Sequence, residues 1–127
     1  MILIDTNIII YYLKGHEVIS DWLEMKISKG ATLAISTLSV VELLGFKNIT
    51  STEQTAIQRL LQTIMVVDVD MIIAHEAARI RQQHHIGTVD AVIAATAKIL
   101  AAELITNDKN LRKVLGIRVS SLAGSCS

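Results

Sequence analysis

The sequence predicts an α/β fold in three layers, a mostly parallel sheet covered on both faces by helices. Short runs of branched aliphatic residues alternate with longer stretches of helical period along the chain. No Pro occurs, and no low-complexity linker or solenoid-length repeat interrupts the alternation. Of the 127 residues 51% are hydrophobic but only 3% aromatic, so one ordinary domain with an aliphatic core is expected. That domain should span residues 1–122, with a polar tail over 123–127.

The chain opens on a strand, Ile2–Ile4, which breaks at Asp5-Thr6-Asn7. The apolar run Ile8–Leu13 reads as a first helix, and Glu17–Ser28 as a second that Gly30 stops. Leu33–Ser36 is the second strand and Thr37–Phe46 the helix after it. Thr50 and Glu53 have capping-box spacing, so a helix over Thr52–Ile64 precedes the third strand, Met65–Val69. Asp70 stands where an N-cap belongs, ahead of a helix over Met71–His85 that Gly87 closes. Thr88 is placed to cap Val89–Ala102, which feeds a fourth strand, Leu104–Thr106. A last helix over Lys109–Leu115 stops at Gly116, and the fifth strand is Ile117–Val119.

Composition narrows the function classes. The single cysteine, Cys126, lies in the polar tail; it has no partner for an internal disulfide, and a zinc site would need several further soft ligands. No basic segment precedes the first apolar run and no apolar stretch reaches about 18 residues, so a soluble cytoplasmic protein is expected, without a membrane span. Net charge is zero, yet residues 1–78 hold nine acids against five Lys and Arg, while 79–118 hold three against seven. With the clustered acids neutralised by a cation, the remaining surface would be positive enough to meet a polyanion.

Four carboxylates stand in apolar surroundings: Asp5 after the first strand, Glu42 between Leu38 and Phe46, Asp90 before Ala91–Ala97, and Asp108 after Leu104-Ile-Thr-Asn. A carboxylate there loses hydration and must be hydrogen-bonded, paired or bound to a cation. Oxygen ligands without a His or Cys partner favour a hard cation, Mg²⁺ or Mn²⁺. In parallel sheets ligands bind beyond the carboxyl ends of the strands, where the winding reverses. All four acids converge there if strands one and four are neighbours.

Each acid also has a purely structural role open to it. Asp5 can cap the first helix, a contribution of about 1 kcal/mol. Glu42 can close a box with Ser39 if its helix starts late. Asp90 can favour the positive end of its helix dipole, and Asp108 can cap the last helix and pair with Arg112. Other charges read as structural: Glu76 has Arg79 at i+3, Glu17, Asp21 and Glu24 share a solvated face, and His84 and His85 end a helix.

Ile4-Asp5-Thr6-Asn7, Ser39-Val-Val-Glu42-Leu, Val89-Asp90 through Ala97, and Leu104-Ile-Thr106-Asn-Asp108 together resemble the PIN-domain ribonucleases, in particular the VapC-type toxins of toxin–antitoxin systems. The resemblance covers nearly the whole chain in order. It implies a five-stranded parallel sheet with strands one and four adjacent, and an Mg²⁺- or Mn²⁺-dependent endonuclease cutting single-stranded regions of RNA. It further implies Asp5 and Asp90 as principal metal ligands, Glu42 and Asp108 completing the acidic set, and Thr6, Asn7 and Thr106 as polar support. A homodimer and a cognate antitoxin lying across the site are implied as well. Val89 replaces a Pro common in the family, and Leu111 stands where an aromatic is common; neither change removes an acid.

The chemistry is consistent with that implication. Phosphodiester hydrolysis needs an activated water and neutralisation of developing charge, and a bound divalent cation serves both. A carboxylate not committed to metal, Glu42 or Asp108, is left to handle the water. A phosphoacceptor receiver domain needs an acid pair after strand one and a Lys after strand five, where Thr6, Asn7 and Ser120, Ser121 stand instead. An aspartate-nucleophile phosphatase needs an acid at Asn7. The remaining alternative is a catalytically silent PIN-like module acting through protein contacts. Mean hydropathy of +0.48 and the all-round apolar run Ile8–Leu13 lead us to expect a self-associating chain.

Overall fold

The computed structural model describes residues 1–122, so Cys126 and the polar tail lie outside the described residues. The order of elements is β1 (Ile2–Ile4), α1 (Thr6–Leu13), α2 (Glu17–Ser28), β2 (Leu33–Ser36), α3 (Thr37–Leu44), α4 (Ser51–Thr63), β3 (Met65–Val67), α5 (Met71–Gln83), α6 (Thr88–Leu100), β4 (Glu103–Ile105), a 3₁₀ turn (Leu111–Lys113) and β5 (Arg118–Ser120). The strands form one parallel sheet in the order β3-β2-β1-β4-β5. Strands one and four are therefore neighbours, and the winding reverses between them.

Alternation along the strands divides the core in two. Leu3, Ala34 and Leu104 face the same side and pack with Ile73, Ala77 and Ile80 of α5 and Ala91–Ala95 of α6. Ile4, Leu33, Ile35 and Ile105 face the other side, against Ile8, Ile9, Ile19, Leu23, Leu43 and Ile57 of α1–α4. Three layers result, each face of the sheet sealed by aliphatic side chains. The run Ile8–Leu13, apolar on all sides, is largely covered within the chain itself: Ile8 and Ile9 are fully buried and α1 packs on α2, α3 and α4. Its hydropathy is thus explained without a second copy. Apolar exposure lies elsewhere, at Val41, Met71, Ile72 and Leu115. No helix among the described residues is long and apolar enough to cross a membrane.

Local signals set most boundaries. Thr50 accepts from Glu53 N and the Glu53 carboxylate accepts from Thr50 N, both at 3.1 Å, so the expected capping box forms. Asp70 caps α5 through Ile73 N at 2.9 Å. α6 departs from expectation: Gly87 is the N-cap rather than a helix stop, and Thr88 is the first helical residue. The Thr88 hydroxyl instead accepts from Arg81 Nη1 at 3.0 Å, while Arg81 Nε reaches Ile86 O, so the guanidinium braces the connection from α5 to α6.

The expected helix Lys109–Leu115 shrinks to the 3₁₀ turn Leu111–Lys113. Asp108 Oδ1 accepts from Asn110 N at 2.9 Å and Asp108 O from Leu111 N, a side-chain turn that competes with helix. Glu76 pairs with Arg79 as its spacing suggested, but its closer partner comes from another helix. Glu76 is 8% exposed and pairs at 2.6 Å with Lys98 of α6, with Arg79 at 3.6 Å.

Candidate active site

The reversal point gathers the acids. Asp5 follows the last residue of β1, and Thr106 the last residue of its neighbour β4. Asp5 is 8% exposed and held from two sides: Oδ1 accepts from Thr6 N at 2.8 Å, and Oδ2 accepts from the Thr106 hydroxyl at 2.6 Å. The first of these bonds also caps α1, so the capping role and the site role coincide in one residue. Thr106 is fully buried, and its hydroxyl in turn accepts from Asp108 N at 3.0 Å. One threonine thus ties together the first and fourth acids.

Thr6 does the same for the first and second. Its hydroxyl lies 2.7 Å from Glu42 Oε1 and 2.9 Å from the hydroxyl of Ser39, both on α3, which follows β2 directly. Ser36 caps α3 through Leu38 N, so the box that would have paired Ser39 with Glu42 locally does not form. Asp90 enters from the first turn of α6. Its carboxyl is pushed up to about 6, first by burial, then by the negative fields of Asp108 and Asp5, a hydrogen bond to Asp108, and the field of Glu42. The Asp5 carboxyl is also raised, chiefly by burial and against the lowering effect of its Thr106 and Thr6 bonds, with Glu42 and Asp108 adding to the rise.

Asp90 therefore feels the other three acids and Asp5 feels Glu42 and Asp108, and no lysine or arginine enters the causes that set Asp5 or Asp90. Their side chains do not close into a ready shell: among the described residues no three His, Cys, Asp or Glu are arranged to hold a metal ion as they stand. Glu42 Oε1 accepts from the Thr6 hydroxyl and Asp108 Oδ1 from Asn110 N. The donor set nevertheless fits a hard cation, being all oxygen and mutually repulsive. Asn7 adds a further oxygen, Oδ1, buried without a hydrogen-bond partner. Ser39 is the residue that sequence reasoning undervalued; its spacing of three from Glu42 was visible, but a buried serine on a helix gives no sign of what it touches.

The PIN domain family model matches residues 2–116. The chain belongs to the PIN domain family. It is 36% identical over 111 residues to ribonuclease VapC10 of Mycobacterium tuberculosis, a match covering 84% of this chain and 81% of that protein. Among solved structures, a toxin–antitoxin complex from Klebsiella pneumoniae superposes with a TM-score of 0.78 at 28% identity, covering 92% of this chain and 95% of the other. FitAcB from Neisseria gonorrhoeae gives 0.77 at 26% identity, with 94% and 96% covered. This PIN domain also carries an open cavity of about 480 Å³, away from the four acids, between α1, α3 and α4; Ile10, Leu13, Phe46 and Ile57 line it, with Lys14 and Lys47 among its polar residues.

Proposed function

We propose that this chain is a divalent-metal-dependent endoribonuclease that hydrolyses single-stranded regions of RNA, the toxin of a toxin–antitoxin pair. The observation that carries the reading is the convergence of Asp5, Glu42, Asp90 and Asp108 at the sheet reversal of a PIN domain 36% identical to a named ribonuclease. Asp5 and Asp90 are the principal ligands for Mg²⁺ or Mn²⁺, with Glu42 and Asp108 completing the set. When bound, the cation supplies Lewis-acid stabilisation of phosphate charge and lowers the pKa of water. Thr106 and Thr6 fix the Asp5 carboxylate, so its orientation is set before any ligand arrives. Exposed Lys109, Arg112 and Lys113, next to Asp108, supply positive charge beside the acids for an RNA backbone.

Purified protein is expected to cut a structured RNA in its single-stranded regions with Mg²⁺ or Mn²⁺ and to stop when EDTA is added. Undiminished cleavage in EDTA, or none with either metal across diverse RNAs, would count decisively against this reading.

A cognate antitoxin and a homodimer belong to the same proposal. The relatives with toxin–antitoxin structures support the former, and the cavity lined by Ile10, Leu13, Phe46 and Ile57, with Lys14, Lys47 and Glu53 among its polar residues, suits a partner segment carrying aliphatic side chains. Val41, Met71, Ile72 and Leu115 are among the exposed apolar residues available for self-association. Light scattering of the purified chain at roughly tens of micromolar, the scale at which a specific interface should show, is expected to give more than a monomer mass. A strict monomer that also fails to co-purify with the product of an adjoining small gene would remove both partners.

A further inference from the structure

Ser39 is fully buried on α3, yet its hydroxyl makes no local helix bond; it lies 2.9 Å from the Thr6 hydroxyl, across 33 residues of sequence. Three residues on, and so on the same helix face, Glu42 reaches that same hydroxyl at 2.7 Å. Two α3 side chains therefore grip one oxygen of α1. Thr6 has a single hydroxyl proton, and a carboxylate can only accept. The proton must go to Glu42 Oε1, and Ser39 must then donate to a lone pair of Thr6. With Glu42 as the carboxylate, the chain runs from Ser39 to Thr6 to Glu42. Donation into Thr6 polarises its hydroxyl and strengthens its bond to the carboxylate. Glu42 is the most solvent-exposed of the four acids and carries the most rotatable bonds, so it is the one that needs such a tether.

We propose that Ser39 is a positioning residue for phosphodiester cleavage, acting through Thr6 to hold one oxygen of Glu42 and leave the other for the cation or the attacking water. The inference rests on the ribonuclease reading above. Thr6 is the hinge of the arrangement, because its backbone N–H holds Asp5 while its hydroxyl holds Glu42. Removing the Ser39 hydroxyl leaves Asp5 in place and loosens Glu42 alone.

Ser39→Ala is expected to lower kcat on a fixed RNA about tenfold, the scale of one hydrogen bond to a charged group, with KM for RNA unchanged. Calorimetric titration with Mn²⁺ alone should show weakened binding in the same variant, while its far-UV spectrum stays that of the parent. Thr6→Val should lose at least as much, Thr6→Ser should recover most of that loss, and the double variant Ser39→Ala with Thr6→Val should be no worse than Thr6→Val. If Ser39→Ala does not fold, Ser39→Cys, which keeps the volume with a weak donor, is measured against the same outcomes. Parental kcat and Mn²⁺ affinity in the Ser39 variant, or losses that multiply in the double variant, overturn the assignment. Asp90→Asn is assayed alongside: parental cleavage there overturns the acidic site itself and the relay with it, whereas an inactive Asp90→Asn beside an unaffected Ser39 variant sinks the relay only.

Discussion

Asp90→Asn is expected to abolish RNA cleavage while raising the stability of the metal-free protein. Asparagine keeps the shape of the carboxyl and can still accept a hydrogen bond, but it lacks the charge that holds a hard cation. It also removes one of four mutually repelling groups: the Asp90 carboxyl is pushed up to about 6 by burial and by Asp108, Asp5 and Glu42. The sign of the pH effect follows from that rise. A folded-state value above the unfolded one means that the native protein binds the proton more tightly, so this stabilisation is complete below the ordinary Asp range. It is lost as pH rises through about 6. Parent protein without metal should thus melt lower at pH 7 than at pH 5, and the variant should lose most of that dependence. Because Asp90 is only half-buried, the contribution is about 1 kcal/mol after allowance for solvent screening. Melts at both pH values in EDTA, beside a cleavage assay with Mn²⁺, decide it. Full activity in Asp90→Asn would leave the site assignment wrong, and an unchanged pH slope would remove the electrostatic account.

Lys98→Met should produce the largest loss of stability from one polar change. Glu76 is buried with Lys98 at 2.6 Å, and methionine would leave that carboxylate with only the more distant Arg79. Breaking a fully buried pair costs about 3–5 kcal/mol; with Lys98 39% exposed, water recovers part of that and about 1–3 kcal/mol remains. A fall in Tm of roughly 5 °C or more is the expected reading. Replacing both partners, Glu76→Leu with Lys98→Met, should restore most of the loss, because the cost lies in the stranded charge rather than in the missing attraction. A single variant that melts with the parent, or a double variant no better than the single, would show that the pair does not join α5 to α6.

The sequence made some of this legible and hid the rest for physical reasons. Local chemistry read directly: the Thr50–Glu53 box and the Asp70 cap are satisfied within a turn of chain. The three-residue strands were placed to within a residue or two, since each lies in a short branched aliphatic run between helical stretches. Glu76 was read only in part, because its local partner Arg79 was visible while the closer one, Lys98, comes from another helix. The turn after β4 was misread as helix because Asp108 and Asn110 bond locally in a way periodicity does not register. The acids at 5, 42, 90 and 108 stood out by their apolar neighbours. Their pairing through Thr6 and Thr106 did not, since a hydroxyl at a strand end gives no sign of its target until the sheet order is known.

The bond from the Thr106 hydroxyl to Asp5 spans 101 residues of chain, between two strands that lie side by side at the centre of the sheet. β4 is made late and must slot in beside β1, which until then is the open margin of a three-strand sheet. During synthesis the first hundred residues can settle β1, β2 and β3 with their helices, yet Asp5 lacks its second anchor and Asp108 is still inside the ribosome. No amino-terminal fragment that stops before Thr106 contains the assembled cleft. A chain that cuts RNA as proposed is therefore inert until Thr106 has been made and β4 has docked, and a premature stop anywhere before Thr106 yields an inert product.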